Sequence, residues 1–105
     1  MKTQASYEIE PYEVSGYELR VHWNIEEKTK EDMDGESVVY WQANEALCNK
    51  LDDRSTLIQK IIGSVYSVAD EIATINNKDV KPQEYAAYQA FRVQAKALAD
   101  GWLSR

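Results

Sequence analysis

Cysteine is nearly missing from this chain. Cys48 stands alone among 105 residues, so no internal disulfide can close, which tells against a small secreted domain held by staples but not against secretion as such. A reduced, intracellular setting is the expectation. Basic residues are in deficit as well: 12 Lys and Arg against 18 Asp and Glu leave a net charge of −6. That balance opposes a nucleic-acid partner, because phosphate binding draws its affinity from clustered cations that displace counterions. No apolar run approaches bilayer length, and the stretch Met1 to Glu8 has no apolar leader core, which predicts a soluble, untargeted chain with no membrane partner. With two prolines, four glycines, no repeat and no low-complexity run, nothing marks a linker. A single domain over 1–105 is predicted, mostly β over 1–50 and mostly α over 51–105.

Chemistry-bearing sets are equally scarce. His22 is the only histidine, and no catalytic signature, phosphate loop or metal-ligand set accompanies it. General acid–base and nucleophilic catalysis need residue sets that are absent, so the chain is expected not to be an enzyme and to hold no cofactor and no metal. His22 falls on the polar row of its strand and is expected in solvent. Cys48 has no flanking positive charge to activate a thiol and reads as a small, partly buried apolar residue. Lys30 to Gly35 superficially matches a calcium loop, but Lys30 occupies the first ligand position and Trp41 the twelfth, where a bidentate Glu is required. An acidic hairpin turn accounts for the same residues.

What the chain does contain is patterned hydrophobicity. Tyr7 to Val14, broken by Pro11, suggests a short edge strand, and Ser15-Gly16 supplies a turn. Tyr17, Leu19, Val21, Trp23 and Ile25 alternate with Glu18, Arg20, His22, Asn24 and Glu26, the mark of a strand with one face on a core. Lys28 to Gly35 predicts a hairpin connection, and Glu36 to about Ala46 a returning strand, with 43–51 readable as strand or helix. Asp52 to Ser55 offers N-cap candidates for a helix over Arg54 to Val65, with Leu57, Ile58, Ile61, Ile62 and Val65 in a stripe. Ser67 and Asp70 form a capping box before Val68, Ala69, Ile72 and Ile75. Pro82 opens a long helix to Trp102. Strands first and helices second predict an α+β fold: an N-terminal antiparallel meander of about three strands packed against three C-terminal helices, the last one long.

The last helix has two distinct rows. Tyr85, Tyr88, Phe91, Leu98 and Trp102, with Ala95 among them, recur at three- and four-residue steps and, together with Trp23, are the expected core anchors. Aromatic rings could instead stack on sugars, but their core-facing positions favour packing. Ala86, Ala90, Val93 and Ala97 lie nearly opposite, with Arg92 between the rows, and small side chains in a row let another helix approach closely. These five are the candidate interaction residues, for a protein partner or for self-association.

The stretch Tyr88-Gln89-Ala90-Phe91-Arg92-Val93, approached by Glu84 and Ala86-Ala87, resembles the C-terminal helix of tailed-phage tail-fibre assembly proteins, which carry an aromatic-Gln-Ala-aromatic-Arg pattern. The broader run from Tyr66-Ser67 to Glu84-Tyr85 is similar to small prophage-encoded proteins. The resemblance implies a non-enzymatic, chaperone-like accessory role in building a phage tail, with Tyr88, Phe91 and Arg92 matching the family helix, in the host cytoplasm or on the virion. The expected function is therefore a protein-interaction or assembly module of phage or prophage origin. The alternatives are a homo-oligomeric structural protein, such as a minor virion component, or a domain with no phage role.

Overall fold

Glu18–Glu31 forms the longest strand, 14 residues, and its first half carries the alternation expected of it. In the computed structural model, which describes residues 2–105, the strands are β1 (Lys2–Ala5), β2 (Tyr12–Ser15), β3 (Glu18–Glu31) and β4 (Ser37–Asn49). They make one antiparallel sheet in the order β1-β4-β3-β2, so the strand count is four rather than about three. Leu19, Val21 and Trp23 of β3 share a face with Ala46 and Cys48 of β4, and all five are buried. The Ala, Glu and Leu near the end of β4 would suit a helix, yet pairing with β3 keeps the segment extended to Asn49, because cross-strand context outweighs weak local propensity.

Trp23 pairs with Asn44 and Glu26 with Gln42, so β3 spends three residues where β4 spends two. The extra residue is a bulge at Asn24, whose φ of 52° is a left-handed conformation that asparagine tolerates. A bulge shifts the alternation by one, which takes Ile25 off the core row and leaves it half-buried. Tyr17 leaves that row too. It sits in the two-residue β2–β3 hairpin loop, 65% exposed, beside Gly16, whose φ of 61° suits the first position of a type II′ turn. Beyond the bulge β3 continues through the stretch expected to be loop. From Lys28 onward β3 and β4 are a two-stranded ribbon, since β2 covers only Glu18 to Val21 and β1 only Trp41 to Asn44. Residues polar on both faces are stable as a strand because neither face of that ribbon is covered. The connection shortens to residues 32–36, where the Asp32 Oδ1 accepts the N–H groups of Asp34 and Glu36 at 2.9 and 3.0 Å, and Gly35 has φ 80°.

β1 and β2 occupy opposite edges, so residues 6–11 must cross a face of the sheet. The distance is three strand spacings, roughly 14 Å, well within the reach of seven residue steps at roughly 3.3 Å each. The expected strand Tyr7 to Val14 is thus mostly this crossing, and only Tyr12 onward pairs. Its position is pinned where the Pro11 carbonyl accepts the His22 N–H at 2.8 Å.

The described residues up to Lys50 form one compact unit and Leu51–Arg105 a second. The second holds α1 (Arg54–Gly63), α2 (Val68–Asn76) and α3 (Pro82–Leu103). Each start has a local cause. The Asp53 carboxylate accepts the Thr56 N–H at 2.8 Å; Ser67 and Asp70 form the reciprocal capping box; Pro82 stands at the first turn of α3, where a missing N–H costs nothing. α1 stops at Gly63, two residues short of Val65, which is exposed. α3 runs unbroken for 22 residues, about 33 Å. Leu57, Ile61 and Ile62 of α1 and Tyr88, Ala95 and Ala99 of α3 are buried.

Candidate functional site

His22 is the first correction at the level of sites. Alternation places it correctly on the face opposite Val21 and Trp23, but that face is dry at this point: His22 is 2% exposed, beneath the crossing connection. Its Nδ1 lies 2.8 Å from the Glu10 carbonyl and its Nε2 2.9 Å from Glu45 Oε2. A carbonyl can only accept, so Nδ1 carries a hydrogen. The second contact then shares one proton between the imidazole and the carboxylate, as an ion pair or as its neutral tautomer. With both nitrogens occupied and Glu45 itself buried, the pair ties strand, strand and crossing segment together. It presents no open nitrogen to a substrate. Cys48 is buried on the other face. No group of three or more His, Cys, Asp or Glu side chains converges among the described residues, and Asp32 is engaged in its own turn.

The open feature is a groove of about 970 Å³ within the helical unit. One wall is α1, through Ile58 and Ile62; the other is α2, through Val68, Ile72 and Ile75; Tyr66 lies between them. The stripe on α2 follows from its sequence, since residues four and three apart share a helix face. α2 buries none of its residues, and Val68, Ile72 and Ile75 are 75%, 54% and 43% exposed. A nine-residue helix is not stable by itself in water. Its capping box supplies local support, and a bond from the Tyr88 hydroxyl to Glu71 Oε2 at 2.5 Å ties it to α3.

Three charges border the groove. Arg54 is forked onto Asp100, with Nε 2.7 Å from Oδ1 and the second nitrogen 3.4 Å from Oδ2, which raises the Arg54 pKa and lowers that of Asp100. Glu71 is held by Tyr88, whose own pKa is raised first by burial and then by that hydrogen bond. Arg92 rests against the Tyr88 ring, 5.8 Å from its centroid, and Tyr88 in turn meets Tyr66 edge-on at 5.0 Å.

Of the expected core anchors, Trp23 and Tyr88 are buried, and Tyr85, Phe91, Leu98 and Trp102 are each half-buried. Ala99 is buried with them, a position that bulk alone did not single out. Of the candidate interaction residues, Ala86, Ala90, Val93 and Ala97 lie on the exposed side of α3, and only Arg92 lines the groove. The groove itself was signalled by the apolar periodicity of α2, whose exposure the sequence does not disclose.

Comparison with known proteins returned no match: no family model, no curated protein and no solved structure is similar to this chain.

Proposed function

We propose that the protein is a non-enzymatic docking module whose helical unit takes a helical segment of a partner protein into the groove between α1 and α2. The observation that carries this reading is α2 itself: a helix with a complete capping box and no buried residue, holding an apolar stripe in water. Covering a fully exposed side chain of this size yields about 1.5–3 kcal/mol. Three partly exposed ones, together with the opposite wall, give a partner a few kcal/mol before any polar contact. An amphipathic helix laid into an apolar groove is a recurring mode of recognition.

The likeness of Tyr88 to Arg92 to tail-fibre assembly proteins supports a phage-tail component as that partner and an accessory role in assembly. Size-exclusion chromatography with light scattering tests the reading against its rival. A monomer with the groove open is expected. A stable dimer that Ile72→Glu dissolves would transfer the groove to a second copy and make the protein a homo-oligomeric structural component.

A further inference from the structure

Burial falls away along one continuous stretch of the helical unit. From Ser67 to Lys81, which spans α2 and its link to α3, every residue is exposed except Glu71 and Thr74, each half-buried. α1 differs: Leu57, Ile61 and Ile62 are buried, and α3 packs on α1 more extensively than on α2. Nine residues are too few for a helix to persist by itself in water, so α2 keeps its form only while something holds it. Its capping box is internal to the segment and would leave with it. The polar tie to the buried part of the unit is the 2.5 Å bond to Glu71 Oε2 from the hydroxyl of Tyr88, a side chain only 1% exposed.

We infer that α2 is a latched wall: it lets go of α3 and unwinds as one segment, with the Tyr88–Glu71 bond as the catch, while α1, the buried part of α3 and the sheet stay folded. Segments that bury little apolar surface open separately, at a free energy far below that of global unfolding. Little apolar area is uncovered when α2 leaves, because Val68, Ile72 and Ile75 already stand in water. What is lost is mainly one hydrogen bond to a charged group and the helix's own backbone bonds. The two walls of the groove are therefore unlike. α1 is fixed by three buried side chains and α2 is movable, so the width of the groove is set by the latch. The motion needs no partner and holds whether or not the groove is a docking site.

Native-state hydrogen exchange on the full chain is the test, read by NMR at rising urea below the unfolding transition. After correction for intrinsic rates, the amides of Glu71 to Asn77 should exchange about a hundredfold faster than those of Ile61, Ile62 and Ala95. Their rates should depend little on urea, since that dependence scales with the surface exposed. Tyr88→Phe keeps the ring and deletes the catch; it should speed the α2 amides about tenfold or more and leave β3 and β4 unaltered. Glu71→Ala removes the same bond from its half-exposed end, without a change in the core, and should speed the same amides. The two changes together should add little to either one, because each deletes the same contact. Exchange of the α2 amides in step with those of α1 and α3 would overturn the inference, as would fast α2 exchange that neither variant accelerates.

Discussion

The two halves of the molecule invert each other. In the sheet a histidine and a glutamate are shut away from water, while in the helical unit valine and isoleucine side chains stand in it. The difference lies in what determines burial. His22 and Glu45 are buried because a connection forced to span opposite edges of the sheet passes over them, a consequence of strand order that no local pattern announces. The α2 stripe is exposed because the helix is held through polar groups, its capping box and the Tyr88–Glu71 bond, rather than through those apolar side chains. Polar burial in the first unit is thus structural, and apolar exposure in the second is the feature on which the proposed docking rests.

That contrast is broken most forcefully at Glu45. Glu45→Ala strands the His22 imidazole in a dry site, and leaving a buried polar group without its hydrogen-bond partner costs about 1–3 kcal/mol, more where the group is charged. Urea unfolding should show it as a large fall in midpoint. Glu45→Ala and His22→Ala together should cost clearly less than the sum of the two single changes, since the second removes a group the first has already orphaned. Additive losses would show that the 2.9 Å contact contributes nothing of its own. Next in size is Ser67→Ala, which deletes half of the capping box and should lower stability by about 1 kcal/mol. The loss should concentrate in hydrogen exchange across Val68–Asn76, leaving protection of β3 and β4 unchanged. Smaller still is Ile72→Glu. Placing a charge in what looks like a hydrophobic stripe should alter stability by no more than about 0.5 kcal/mol, as surface changes do. A loss of several kcal/mol would mean that the stripe is packed rather than offered.

The parts legible in the sequence are those with local causes. The caps at Asp53 and Ser67, the first-turn Pro82 and the long α3 were all readable, because each depends on residues within one helical turn. Alternation from Leu19 to Trp23 named the buried row correctly and assigned His22 to the opposite one. What failed was the assumption that the opposite face is wet. The bulge at Asn24 and the crossing by residues 6–11 depend on pairing between distant strands, and β1 pairs Lys2 with Asn44 across more than forty residues of chain. The groove was half legible. The spacing of Val68, Ile72 and Ile75 was visible as an apolar helix face, but whether such a face is covered is decided in three dimensions. The small-residue row of α3 drew the candidate interaction residues to the far side, leaving Arg92 as the one that lines the groove.

The smallest effect is the most discriminating for the claim that each helix start has a local cause. The Asp53 pKa is lowered from its ordinary 3.8, first by the backbone hydrogen bond from Thr56 and then by the Thr56 side chain. A carboxyl depressed in the folded state binds its proton more readily in the unfolded chain. Its contribution is therefore fully present well above pH 3.8 and is lost as pH falls through the lower folded value. Asparagine caps a helix about as well as aspartate. Asp53→Asn should thus leave stability near pH 7 almost unchanged while flattening the acid limb of the stability curve, with Asp100 still titrating there through its pairing with Arg54. If the variant were instead destabilised at pH 7 with an unaltered acid limb, the carboxylate would be acting through its charge on the α1 terminus or not through the cap at all, and the start of α1 would need a cause beyond the four residues from Asp53 to Thr56.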